Sequence, residues 1–254
     1  MDALWNTLVV IFPKLVNGLV VTLVIFIFSA IISIAIAVPV GLGRVSRLRV
    51  IRSLCTFYIE TIRGTPLFLQ LSVWFFGIQI VMVSLFGFNA DQTLYKLLTA
   101  LNSNSLFPTI GVSGLFFGII GLSVNYSAYM AEVIRAGVQS VEPGQTEASL
   151  SLGLSRFQAT RFIVLPQAFR IMIPPLTNNL ITLVQDTAIV STVVVGIYDF
   201  QLVVQTGVQA TGSALIRWGL YAVALAVYFA ICYPLALISR RAERRMQRTM
   251  AGAH

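Results

Sequence analysis

The sequence predicts an all-α integral membrane protein of about five transmembrane helices, with its N-terminus outside and its C-terminus inside. Three observations predict it. Hydrophobic residues make up 57% of the 254 residues and charged ones only 10%, against roughly 25% charged in a soluble domain. Uncharged runs recur along the chain, each supplying the roughly 20 apolar residues that a spanning helix needs. The basic residues gather in the loops between those runs. Such a chain cannot cover its surface with polar side chains, so lipid is its solvent and its backbone must pair internally as helices. The net charge of +8 would suggest nucleic acid in a soluble protein. Here arginines on cytoplasmic loops account for it, and no nucleic-acid partner is expected.

The elements follow in order. No charged residue lies between Lys14 and Arg44, which sets a first span at 16–42. Asp2 precedes the first basic residue, Lys14, so the start lacks the pattern of a signal peptide and is expected to remain as an anchor. A second span is expected at 53–84, with Glu60 and Arg63 inside it, and a third at 112–136. A fourth, interrupted by Pro174 and Pro175, is expected at 164–195, and a fifth fills the uncharged run between Arg217 and Arg240. The segment 86–111 carries Asn89, Asp91, Asn102 and Asn104 as loop or cap residues, and short surface helices are expected there. No soluble domain, repeat or low-complexity linker interrupts this pattern, so residues 1–254 read as one membrane domain.

Orientation follows from the basic residues, which concentrate on the cytoplasmic side. Arg44, Arg47, Arg49 and Arg52 follow the first span. Arg135, Arg156, Arg161 and Arg170 frame the loop after the third, and Arg240, Arg241, Arg244, Arg245 and Arg248 fill the tail. Only Lys14, Lys96 and Arg217 fall on the other side. Thirteen against three places those loops in the cytoplasm, and an odd number of spans then puts the N-terminus outside.

The cytoplasmic stretch at 137–166 does not read as a plain loop. Pro143 and Gly144 break the preceding helix, and Gln145 or Thr146 is placed to cap a new one, with Glu147 near its positive end. Ala148, Leu150, Leu152 and Leu154 follow, and a turn at Gly153 leads to a second short helix through Phe157 and Phe162. A connection that is helical, mildly apolar and cytoplasmic calls for a protein partner to cover it; the plainer reading is an amphipathic surface helix.

At these residues the chain resembles the permease subunits of bacterial ATP-binding-cassette (ABC) importers. Glu147, Ala148, Gly153, Ile163, Leu165 and Pro166 match the spacing of their EAA loop, with Ser149 standing where a second alanine is usual. RGTPLFLQL at 63–71, NYSAYMAEVIRAGVQSVEPGQ at 125–145, LPQAFRIMIPPLTNN at 165–179 and QDTAIVST at 185–192 are similar to the polar amino acid branch, covering histidine, glutamate, glutamine, arginine and opines. Gln185 and Ala188 depart from that branch's usual Lys-Asp-Thr-Ser. The resemblance implies the type I importer permease fold in the plasma membrane (the inner membrane of a Gram-negative cell), with a periplasmic N-terminus and a cytoplasmic C-terminus. It implies that Glu147, Ala148, Gly153, Leu165 and Pro166 couple to a cytoplasmic ABC ATPase dimer. It also implies a second permease subunit, identical or related, and an external solute-binding protein.

Ionisable groups at membrane depth are functional candidates by default. Arg63 lies eleven residues past Arg52, about 16 Å along a straight helix and so near the midplane. Gly64, Thr65 and Pro66 follow, and Pro66 removes a backbone donor and opens the helix there. Two readings stand: Arg63 holds an amino acid carboxylate with two parallel hydrogen bonds, or it pairs with Glu60 three residues earlier. Asn125 and Ser127 lie halfway through the third span and suit either a zwitterionic ligand or close helix packing. Asp186, with Thr187 beside it, either meets a substrate ammonium or pairs with an arginine. Glu132 and Arg135 read as a local ion pair beside the loop.

The chain has no Gly-rich phosphate loop ending in Gly-Lys-Ser/Thr. No cofactor is therefore expected in it, and ATP and magnesium fall to the ATPase partner. Neither a catalytic nor a metal site is expected, since the two cysteines, Cys55 and Cys232, are far apart and the one histidine, His254, is terminal. The expected function is alternating-access import of a polar amino acid or related compound. The rival readings are a channel outside the ABC class and a membrane-embedded enzyme; the latter would need a nucleophile, base or metal constellation that the chain does not offer.

Overall fold

The computed structural model describes residues 2–87, 115–194 and 197–251. Every regular element among them is helical. In chain order these are α1 (Asp2–Arg44), α2 (Arg49–Arg63), α3 (Leu67–Ser72), a π-helical stretch (Val73–Ile78) and α4 (Gln79–Phe86). After 88–114 come α5 (Leu115–Gln139), α6 (Pro143–Ser151), α7 (Arg156–Gln158), a second π-helical stretch (Ala159–Val164), α8 (Leu165–Val193), α9 (Phe200–Ala210) and α10 (Ala214–Ala251). The surface helices expected at 86–111 lie outside the described residues.

Four helical stretches among the described residues are long and apolar enough to cross a membrane: Val9–Arg44, Leu67–Leu85, Leu115–Gln139 and Ala214–Arg244. The shortest has 19 residues, about 28 Å at 1.5 Å per residue, enough for a ~30 Å hydrocarbon core. The fourth span is expected at 164–195; α8, 29 residues long, lies within that stretch but is not among these four. Arg170, Asn178, Asn179, Gln185 and Asp186 keep it from qualifying on apolarity alone.

One expectation about helix continuity is met and one is corrected. The span expected at 53–84 is two pieces, because the chain leaves α2 at Gly64 and passes Pro66 in an extended conformation before restarting at Leu67. The break does not leave its backbone open. The Gln70 side-chain amide donates to the Thr65 carbonyl at 3.0 Å and to the Thr65 hydroxyl at 2.8 Å. In contrast, Pro174 and Pro175 do not interrupt α8, which runs through both. Side-chain hydroxyls make supplementary bonds to carbonyls beside them. Thr177 donates to Ile173 at 2.7 Å, and Ser239 to Pro174 at 3.4 Å.

The chain divides into two compact units, each assembled from three stretches. The first comprises Met1–Ile31, Thr65–Ser123 and Leu183–Cys232. Its core joins Leu15 of α1 to Phe200, Val203 and Val204 of α9 and to Ile216, Leu220 and Ala224 of α10. Gly18 permits this, since a Cβ there would stand 2.9 Å from the Phe200 Cα. Asp199, fully buried, caps α9 by accepting the Leu202 N–H at 2.9 Å, and the Thr22 hydroxyl accepts the Phe200 N–H at 3.1 Å. Capping of this kind meets helix donors that would otherwise be orphaned.

The second unit comprises Ile32–Gly64, Val124–Thr182 and Tyr233–His254. Its core is Ala37, Ile59, Met130, Ala131, Ile134, Val141, Val164, Ala168 and Met172. Small residues let α1 and α5 approach closely: a Cβ on Gly41 would lie 2.7 Å from the Ala131 carbonyl oxygen. Membrane helices pack in this way because lipid leaves dispersion contacts, not the hydrophobic effect, to join them.

Candidate functional site

The second unit holds a run of paired charges. Arg44, at the end of α1, bridges two helices: it donates to Glu60 on α2 at 2.7 Å and to Glu132 on α5. Arg135 grips Glu132 in a fork, with Nε and Nη2 donating to its two oxygens at 2.9 and 2.6 Å. It also donates to Gln139. The order Glu60–Arg44–Glu132–Arg135 alternates in sign and cancels to zero. Such bidentate, charge-assisted bonds are the strong kind, and the side chains of Arg44, Glu132 and Arg135 are only 17–27% exposed. The local pairing expected between Glu132 and Arg135 is thus present, as part of a longer chain of charges.

Arg63 makes no ion pair with this ladder. The pairing with Glu60 is not formed, because Arg44 holds Glu60. Among the described residues no carboxylate lies within ion-pair distance of Arg63. Its guanidinium instead sits over the Tyr129 ring, 5.4 Å from the centroid, an attraction of cation to ring face. Its charge is thus matched by no ion pair among the described residues.

Residues expected to join Arg63 divide between the two units. Gly64, Asn125 and Ser127 belong with it in the second, while Thr65, Pro66, Asp186 and Thr187 belong to the first. Asn125 precedes Tyr129 by one helical turn on α5 and is buried, so Arg63 reaches α5 one turn from it. Ser127 is buried and occupied: its hydroxyl lies 2.6 Å from the Tyr58 hydroxyl and 2.8 Å from the Val124 carbonyl oxygen. In the first unit Thr187 is buried and donates to the Val184 carbonyl at 2.7 Å, whereas Asp186 is half-buried and Thr65 and Pro66 are exposed.

The segment at 137–166 forms two short helices, but its start is corrected. Pro143 itself opens α6 and Glu142 holds the cap position, without a side-chain bond. Neither Gln145 nor Thr146 caps the helix, because proline's fixed φ and missing donor suit the first helical position. Gly153 ends α6 with φ +86°. Its N–H donates to the Leu150 carbonyl at 3.0 Å, and the Leu154 N–H reaches the Ser149 carbonyl at 3.1 Å. This pair of bonds is the Schellman closure, which requires a left-handed residue where Gly153 stands. Ser155 then opens α7 with a reciprocal capping box with Gln158, satisfying two orphan donors.

The departure at Ser149 costs nothing locally. Its side chain is buried and donates to the Thr146 carbonyl at 2.7 Å. Glu147, Ala148, Gly153 and Pro166 are exposed and Leu165 is half-buried. Leu152, Phe157 and Phe162 are 84%, 72% and 61% exposed. Leu152 just past α6, Phe157 on α7 and Phe162 on the second π-helical stretch thus hold three large apolar side chains outward.

Comparison with known proteins agrees with this arrangement. Residues 33–248 match the family described as "Binding-protein-dependent transport system inner membrane component". The chain is 32% identical over 241 residues to the L-cystine transport system permease protein TcyB of Bacillus subtilis (strain 168), spanning 94% of this chain and 89% of that protein. It is 31% identical over 235 residues to the arginine transport system permease protein ArtQ of the same organism, spanning 92% and 93%. A chain in the crystal structure of an amino acid ABC transporter with histidines superposes with a TM-score of 0.73 at 29% identity, over 94% of this chain and 97% of that one. A chain of the inward-facing MetNI methionine ABC transporter shares the fold, with a TM-score of 0.61 at 20% identity over 90% and 96%.

Proposed function

This chain belongs to the family of binding-protein-dependent transport system inner membrane components, and we propose that within such an importer it carries a polar amino acid across the membrane. The observation that carries the cargo class is Arg63. It is a guanidinium with no carboxylate partner among the described residues, steadied by Tyr129 and adjoining the Gly64–Pro66 break. An amino acid carboxylate would complete it with paired hydrogen bonds. The names of the relatives, which include cystine, arginine and glutamine systems, support an amino acid as the cargo. Asn125, Ser127, Asp186 and Thr187 are proposed to complete the path with Gly64, Thr65 and Pro66.

The motion is alternating access driven from the cytoplasm, with a second permease subunit completing the path. An ABC ATPase dimer, which holds the ATP and magnesium, docks on α6 and α7 around Glu147, Ala148 and Gly153. The rigidly closed turn at Gly153 passes its movement into the chain through Leu165 and Pro166. A solute-binding protein delivers the cargo from outside. The thirteen basic residues support placing the coupling segment and C-terminus inside and the N-terminus outside.

The test is ATPase activity of the reconstituted transporter against a panel of acidic, basic, amide and sulfur-containing amino acids. Arg63→Ala should abolish substrate-stimulated turnover while the subunits still co-purify. Tyr129→Phe should retain turnover and Tyr129→Leu should raise KM. Loss of assembly in Arg63→Ala would assign the arginine to subunit contacts instead.

A further inference from the structure

The second unit holds a cavity of about 570 Å³ that the proposed cargo path does not use. Its floor is Met130 and Ile134 of α5, and its walls come from α1 between Ile34 and Leu42 and from α8 between Leu165 and Leu180. Thr177 is the one polar residue in the lining, and its hydroxyl is spent on the Ile173 carbonyl at 2.7 Å. A polar amino acid would find no partner there, and its desolvation would go uncompensated. The cavity therefore suits hydrocarbon.

Its length and the charge beside it identify the hydrocarbon. Leu165 to Leu180 is fifteen residues of helix, about 22 Å, which exceeds the ~15 Å depth of one leaflet and leaves room for a headgroup. Arg170 stands beside Phe169 on the flank of the lining face of α8. Arg161 lies about one turn before Leu165, its guanidinium 5.9 Å from the Phe162 ring centroid. Both arginines are exposed, and among the described residues neither has a carboxylate within ion-pair distance. Arg161 just before the trough and Arg170 on its flank, past Phe169, put two uncompensated cations beside an apolar groove between membrane helices, the features of an anionic lipid site.

We propose that this groove between α1, α5 and α8 binds one anionic phospholipid, with an acyl chain along Ile34, Phe169 and Leu176 and the headgroup between Arg161 and Arg170. A second copy of the chain fits less well. A two-fold contact presses one patch against itself, so a groove would meet a groove, enclosing a void and bringing Arg170 toward its own image. The proposal holds whatever the cargo.

Native mass spectrometry tests it on the transporter purified from native membranes, then delipidated and exchanged with phosphatidylglycerol or phosphatidylcholine. The wild type should retain one phospholipid per permease chain and prefer phosphatidylglycerol. Arg161→Gln and Arg170→Gln should each lower that preference about fivefold, the effect of one basic residue near an anionic headgroup. Val38→Trp at the groove's rim should lose the lipid, while Leu225→Trp in the other unit should keep it. Failure of the wild type to retain a phospholipid, or a preference unmoved by the arginine substitutions, overturns the proposal. A disulfide between two copies of Val38→Cys, with Cys55 and Cys232 replaced by serine, would place a second chain in the groove and refute it equally.

Discussion

Two glycines in the coupling segment should respond oppositely to alanine. Gly153 sits at φ +86°, and a Cβ there would meet nothing within 4 Å. Steric clash with neighbours therefore contributes nothing, and the whole effect is backbone strain. An L-residue in the left-handed region costs about 1–2 kcal/mol. Alanine returns about 0.4–1 kcal/mol by narrowing the unfolded ensemble, so Gly153→Ala should destabilise the turn by about 1 kcal/mol. Gly144, near the start of α6, would also give a Cβ open space but lacks the positive φ. Gly144→Ala should be neutral or stabilising, up to the ~1 kcal/mol that separates the two residues in a helix. Gly153→Asn should fall between, since asparagine tolerates the left-handed conformation. Thermal melting of the purified transporter and the ATPase rate it supports would read both effects. Equal responses at the two glycines, or an unaffected Gly153→Ala, would refute the Schellman account of the turn.

The charge ladder should be unequal along its length. Arg44→Gln strips a partner from the partly buried Glu132 and should lower stability by about 1–3 kcal/mol. Glu60→Gln should cost less than about 0.5 kcal/mol, because the Glu60 side chain is 59% exposed and solvent screens its pair; melting curves of the two variants compare them directly. At Asp199 one carboxylate oxygen has no hydrogen-bond partner among the described residues. Asp199→Asn should therefore keep the α9 cap and melt at the same temperature or higher, while Asp199→Ala should lose about 1 kcal/mol with the cap.

Much of this architecture is legible in the sequence, for reasons particular residues make plain. Runs between charges, such as that from Lys14 to Arg44, declare a spanning helix because lipid leaves the backbone few options. The turn at Gly153 and the break at Gly64–Pro66 follow from backbone chemistry that is local to a few residues. Pro174 and Pro175 mislead because a lost backbone donor bends a membrane helix without ending it, and α8 runs through both. Distance along the chain hides the ladder. Local spacing sets Glu60 against Arg63, three residues off on its own helix, whereas its partner Arg44 arrives from α1 and also reaches Glu132, 88 positions away. In the sequence Arg44 reads only as a topology residue, and no periodicity within one helix could reveal its role. Tyr129 is visible as a polar aromatic in mid-span, but its place under Arg63 depends on how α2 packs on α5.

The central claim is that this chain is driven from inside through α6 and α7. The most direct measurement is retention of the ABC ATPase by the purified chain, comparing wild type with Leu152→Asp. Leu152 is 84% exposed, so the aspartate should leave the fold intact while placing an unpaired charge in a docking surface, at a cost of several kcal/mol if buried there. An ATPase should co-elute with wild type and dissociate from Leu152→Asp, with amino acid uptake lost in parallel. Uptake that persists without an associated ATPase, or docking indifferent to Leu152→Asp, would contradict the claim.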